Sequence, residues 1–264
     1  LKDAGYRSAP NYASAAKRWH IETGHQWSED LSFTLRGCLA STQRGIGPSR
    51  QTLELSVFGI HSLQLGNDPI AEGGPVCPGQ WAILCCFHLV RGGEAAAALN
   101  RHLILDCDAL TETWTLPVSK TDQSAVGAAR SWGCVCVSTD PRETPCPFHA
   151  ALELSAHLQD RFVTDDMEGF LPGHFPLFPN ADGEQCTRDG IINTVAELAR
   201  RTGTPIVDRQ GRTLIGEHWP RCSGARHLDA MDVDYVIIPT LARWGQTLSA
   251  PYTHLRAHET LRYL

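Results

Sequence analysis

GEHWPRCSGARHLDAMDVDYVIIPTLARWGQTLSAPY, residues 216–252, is the stretch from which the chain is read. It carries His218, Arg221, Trp244 and Tyr252 in that order. His218 and Arg221 are three residues apart, so at a helix start they share one face and can point at one anion. Pro220 suits the first turn of that helix, where a missing N–H is no loss, with His218 just before it. Trp244 ends the apolar run Val236, Ile237, Ile238, Leu241, and Tyr252 follows shortly after. Taken singly, a His-x-x-Arg is mostly surface chemistry, Trp244 would be core, and Tyr252 a partly buried phenol with its hydroxyl satisfied. The order carries more than any one residue.

Working outward, residues 80–90 form an apolar helix ending in HLVRGGEAAAAL, which places Arg91 and Glu94 at a helix terminus. Residues 102–107, 113–118 and 131–137 alternate or run apolar with β-formers and predict a small antiparallel sheet. Lys120, in SKTDQ, falls in or beside the hairpin turn between the second and third strands. Residues 164–185, with Pro172, Pro176, Pro179 and Gly183, read as loop. Thr187 then caps a helix that Gly203 closes, and the chain runs from Leu214 into His218.

Arg91 with Glu94, a hairpin lysine, His-x-x-Arg, then Arg-Trp-Gly and a tyrosine resemble the signature of the tyrosine recombinase (phage integrase) family, in a member of the eukaryotic mobile-element kind. Gly92-Gly93 and Trp219-Pro220 depart from the usual family residues. The resemblance implies a helical DNA-clamping, core-binding domain followed by a catalytic domain. It implies a site-specific recombinase or integrase that breaks and rejoins double-stranded DNA through a 3′-phosphotyrosine on Tyr252. Arg91 and Arg221 would hold the non-bridging oxygens, Lys120 would protonate the leaving 5′-oxygen, and His218 would position or deprotonate the phenol. Trp244 would donate its indole N–H or pack beneath the site, Glu94 would orient the first arginine, and catalysis would need no cofactor. The implied partners are duplex DNA and further copies of the chain, as a dimer or tetramer on DNA. Two other readings stand beside it: a catalytically silent DNA-binding remnant of a mobile element, and a DNA-relaxing enzyme of the type IB topoisomerase kind.

The fold class expected is mainly α with a small antiparallel sheet, α+β. Residues 1–66 read as helical. Ser8 and Ser28 are placed to open two helices, and Pro48 suits the first turn of a third carrying Leu53, Leu55 and Phe58. Residues 67–78, with Asn67, Pro69, Gly73, Gly74 and Pro75, are punctuated like a linker, so the expected division is 1–66, 67–78 and 79–264. With 264 residues, 42% of them hydrophobic, the chain can build real cores. No window reaches the length of a membrane span and the first residues lack an apolar signal core. The expectation is an intracellular protein without a membrane partner, nuclear in a eukaryote and otherwise cytoplasmic or nucleoid-associated. The net charge of −6 opposes DNA binding, since Lys and Arg supply most non-specific affinity. Arginines cluster, however, at Arg36, Arg44 and Arg50 and at Arg200, Arg201, Arg209 and Arg212, which allows a basic face.

Ten cysteines in an intracellular chain of this size suit reduced thiols and one metal cluster better than disulfides. In WGCVCVSTDPRETPCPFHAALEL, Cys134, Cys136, Cys146 and His149 form Cys-x-Cys and Cys-x-x-His, the second pair opening a helix. Three thiolates and an imidazole make a closed tetrahedral set that Zn²⁺ favours, structural in role. The competing reading has Cys134 and Cys136 alternating on a strand as small apolar residues while His149 sits at a helix start.

Overall fold

The computed structural model describes residues 8–44, 52–116, 128–136, 143–165, 167, 169–234 and 236–242. The fold is α+β, mainly helical with one small sheet, and divides into two compact units, Leu1–Gln51 and Thr52–Leu264.

The first unit holds α1, Ala9–Glu22, and α2, Glu29–Gln43. Gly24 turns the chain after α1 in the left-handed region at φ +86, which favours a residue without Cβ. Ser28 opens α2 by accepting the Leu31 N–H at 3.1 Å, satisfying one of the free donors of the first turn. Ser8 stands at the start of α1 without a side-chain cap.

The second unit is built around α4, Pro78–Phe87. All its residues except Gln80 are buried, as expected of a helix apolar on every side. Three helices pack on it: α3, Val57–Ser62; α6, Pro147–Phe162; and α8, Trp219–Ala230. A one-turn helix α5, Gly92–Ala96, follows α4; α7 spans Arg188–Arg201 and α9 Ile237–Leu241. Thr187 caps α7 by accepting from the Gly190 N–H at 2.9 Å, and Gly203 follows it at φ +69. No helix among the described residues is long and apolar enough to cross a membrane.

The sheet is antiparallel in the order β1-β2-β3, with β1 Leu103–Asp106, β2 Thr111–Leu116 and β3 Ala128–Gly133. In β2 the inward phase is Glu112, Trp114 and Leu116, the period-2 pattern of a half-buried strand. Trp114 packs against Phe178 and His88, and Trp132 of β3 against Phe87 at the end of α4.

Two expectations are corrected. Residues 52–56 are extended rather than helical: Leu53, Leu55 and Val57 are buried alternately with exposed Glu54 and Ser56. The Leu53 N–H donates to the Leu214 carbonyl, and the Leu55 N–H to Ser223 Oγ, both at 2.8 Å. Ser56 then caps α3 through the Gly59 N–H at 3.0 Å. The stretch 67–78 belongs to the second unit instead of separating two domains, so the division falls earlier, at Gln51/Thr52. Gly73 and Gly74 lie against α7, where a Cβ on Gly190 would stand 2.2 Å from the Gly73 carbonyl, and one on Gly74 2.3 Å from Thr194 Oγ1. Glycine is needed there for a close crossing of two backbones, which resembles a linker only when read without its partner.

Candidate functional site

The site forms where the end of α4 meets the start of α8. Leu89 takes the left-handed region at φ +49, and the Val90 N–H reaches back to the Cys85 carbonyl at 3.2 Å, ending α4 as a left-handed cap does. Arg91 leaves this turn and stands before α5. Glu94, in the first turn of α5, accepts the Arg91 backbone N–H at 2.8 Å and Arg91 Nη1 at 3.1 Å. This carboxylate therefore fixes the arginine's backbone and side chain together, satisfying a donor that α5 leaves open.

His218 precedes α8 and Arg221 lies in its first turn, with Pro220 among the first residues. Trp219, buried, packs on Trp81 of α4 at 5.6 Å between ring centroids. The unusual Trp219-Pro220 pair is thereby given a packing role. Residues 219, 223 and 227, and 220, 224 and 228, form two rows on one face of α8, and all six are buried, as i, i+4 spacing dictates. Gly224 is where α8 crosses α4: a Cβ there would stand 1.9 Å from the Cys86 carbonyl. This close approach brings Arg221 within reach of α5. Arg221 Nη2 donates to Glu94 at 3.1 and 3.4 Å. The Gly92 N–H adds a backbone link to the Glu217 carbonyl at 3.0 Å.

Arg91, Glu94, His218 and Arg221 are thus gathered, although Arg221 and Glu94 are 127 residues apart. The side chains of Glu94 and Arg221 are 7% and 5% exposed, and that of Arg91 is 22% exposed. Two guanidiniums meet at the Glu94 carboxylate in a partly desolvated place, with the Glu217 carboxylate also near His218, and such forked donors suit an anion. His218 sits exposed at the rim. Partial desolvation, then the Arg91 and Arg221 charges, pull its ring below the usual histidine value, which favours a neutral imidazole at neutral pH. Lys120, Trp244 and Tyr252 lie outside the described residues.

A support beneath this site was not anticipated from sequence. His88, at the end of α4, pairs with Glu112 of β2 at 2.6 Å, both fully buried, and Arg130 of β3 donates Nη1 to the His88 carbonyl. The pair ties the α4 terminus, from which Arg91 departs, to the sheet. Its sequence signal is Glu112 lying in phase with Trp114 and Leu116 in TETWTL.

Three of the arginines read as a basic patch are paired with carboxylates. Arg200 and Arg201 share Glu197 at 2.7 and 2.6 Å, and Arg212 holds Asp208 at 2.7 Å. Arg50 lies outside the described residues.

A second cluster lies where β3 ends and α6 begins. Cys134 and Cys136 come just after β3, Cys146 just before α6, and His149 in the first turn of α6. Their ligand atoms all lie within 4.8 Å of one another. Burial, then the neighbouring sulfurs, pushes the Cys136 thiol up, and burial does the same to Cys146.

No family model matches the chain, and no curated protein matches it. Among solved structures, the chain is similar to a crystal structure of the XerH site-specific recombinase bound to its difH substrate in a pre-cleavage complex. The two are 15% identical with a TM-score of 0.46, covering 88% of this chain and 64% of the other. The chain therefore spans less than two thirds of that protein's length.

Proposed function

We propose that the chain is a DNA strand breaking and joining enzyme, a site-specific recombinase or integrase acting through a phosphotyrosine. The observation that supports this reading best is the meeting of Arg91, Glu94, His218 and Arg221 in one cationic cluster. In the proposed reaction the scissile phosphate lies against the two guanidiniums, whose forked donors stabilise the charge that grows on the non-bridging oxygens. The Tyr252 phenol attacks phosphorus, and its proton passes to His218, kept neutral by its surroundings. The P–O5′ bond breaks as the P–Oη bond forms, and Lys120 supplies the proton that makes the leaving oxygen a 5′-hydroxyl. The phosphotyrosine conserves the bond's energy, so a 5′-hydroxyl from the same or another strand reseals it by the reverse steps. Glu94 takes no part in proton transfer and holds both arginines in register.

The test is a covalent adduct with nicked suicide duplexes drawn from a pool of sequences. The full chain gives a protein–DNA adduct resistant to denaturant, and Tyr252→Phe and Arg221→Ala give none. Duplex binding by the unmodified chain with no adduct on any substrate would sink the catalytic reading in favour of a silent DNA-binding remnant. The net charge of −6 and the pairing of Arg200, Arg201 and Arg212 with carboxylates are the observations that favour that second reading.

A further inference from the structure

We infer that Cys134, Cys136, Cys146 and His149 bind a tetrahedral, thiophilic divalent cation, Zn²⁺, which ties the end of β3 to the start of α6. The inference is independent of the DNA chemistry. It rests on distances that a four-coordinate metal demands. With Zn–S near 2.3 Å and Zn–N near 2.0–2.1 Å, the edges of a regular tetrahedron are about 3.8 Å between sulfurs and about 3.6 Å between sulfur and nitrogen. Cys146 Sγ and Cys134 Sγ are 3.8 Å apart. His149 Nδ1 lies 3.7 Å from Cys134 Sγ and 3.3 Å from Cys136 Sγ. The sulfurs are thus spaced as neighbours across a central ion and too far apart for a disulfide, whose bond is about 2.05 Å.

The surroundings fit a thiolate site. The Val135 backbone N–H points at Cys146 Sγ at 3.4 Å, the kind of outer donor that offsets thiolate charge and orients a ligand. Cys146 is buried while Cys134, Cys136 and His149 are partly exposed, so the ion has an entry path and a closed inner side. Cys134 and Cys136 lie beyond the last residue of β3. Being two residues apart, they face the same way along an extended chain, and both sulfurs turn to the same imidazole.

Four protein donors fill the tetrahedron and leave no position for water or substrate, so the role is structural. β3 pairs with β2, and α6 packs on α4. A metal here fixes the sheet's last strand against the helical core, and its binding free energy becomes folding free energy.

The full chain, purified without chelator or metal affinity, is expected to contain about one zinc per chain by elemental mass spectrometry. Cobalt exchanged into the site is expected to give thiolate-to-metal charge transfer and the strong visible bands of a tetrahedral centre. Cys136→Ser and His149→Ala each lose the metal and the cobalt spectrum, whereas Cys107→Ser, at an exposed thiol elsewhere, keeps both. If the two variants fail to fold, thiol counting on the unmodified chain decides: chelator treatment is expected to expose about three further reactive thiols. A chain with no bound metal and no cobalt spectrum, undiminished zinc in Cys136→Ser, or an intact mass two protons light from a Cys134–Cys146 disulfide would each overturn the inference. None of these readouts depends on DNA cleavage, so the two proposals fail separately.

Discussion

Glu94→Gln tests the idea that one carboxylate assembles the site. The change keeps shape and one acceptor oxygen but removes the charge that both guanidiniums share at 3.1 Å. Removing one partner from a buried ion pair costs about 3–5 kcal/mol. Arg91 is partly open to water, at 22%, and the glutamine oxygen still accepts one N–H, which leaves about 2–3 kcal/mol. For a unit of this size that is a fall of roughly 5–10 °C in Tm. Urea unfolding followed by tryptophan fluorescence reads it directly, because Trp81, Trp114 and Trp219 are buried within the second unit. The variant removes one negative charge from between the two guanidiniums. Inorganic phosphate should therefore stabilise Glu94→Gln more than the parent, and narrow the gap between them as its concentration rises. A variant within about 0.5 kcal/mol of the parent, and equally indifferent to phosphate, would refute the reasoning that Glu94 holds two cations at an anion site.

Gly224→Ala places a Cβ 1.9 Å from the Cys86 carbonyl. It is expected to cost more than about 3 kcal/mol and to lower adduct formation, while Gly93→Ala, with nothing within 4 Å, is neutral or stabilises by up to about 1 kcal/mol in denaturant titration. His227 is buried between Phe87 and Phe58, and burial lowers its pKa to about 4. The unfolded chain therefore binds this proton first, and stability falls as pH drops from the ordinary histidine value of 6.5 to about 4, by about 3 kcal/mol in all. His227→Phe is expected to flatten that part of the stability–pH curve, and an unchanged slope would contradict the assignment. By NMR titration the His218 ring is expected below the usual range, moving part of the way back in Arg91→Ala as one neighbouring cation is removed.

The local parts of the site were legible because each is written in a few adjacent residues. Pro220 after His218 marks a helix start, and the apolar run into Leu89 marks a buried helix with Arg91 at its end. What could not be read is which ends meet. Arg221 reaches Glu94 only because Gly224 lets α8 approach the Cys86 carbonyl, and Gly224 carries no label of that contact. The same limit misled the reading of Gly73-Gly74: glycine and proline say where a chain turns, and only Gly190 and Thr194, far along the sequence, decide that the turn is covered. At Leu53 and Leu55 two signals competed. A proline suited to a helix start lay just before a short period-2 run, and the period-2 run won because its alternate side chains are buried and its N–H groups are taken up by Leu214 and Ser223. The partners of Arg200, Arg201 and Arg212 were likewise not counted with them: Glu197 and Asp208 offset part of that charge.

A chain of net charge −6 and a cationic cluster can coexist because the two act over different ranges. Charges on the far surface are screened beyond about 8–10 Å at physiological ionic strength, so the acidic balance weakens long-range steering toward DNA without reaching the Arg91–Glu94–Arg221 cluster. Inside that cluster the guanidiniums are partly desolvated, so attraction to a phosphate is stronger and less sensitive to salt than at a surface. Glu94 offsets part of the charge of the two guanidiniums, which lets the two cations approach one another. On the proposed function, a site built this way would hold a phosphate once it arrives and contribute little to bringing it there. On the same reading, selection of DNA would therefore depend on contacts made around the cluster, through shape and specific contacts more than through general charge attraction.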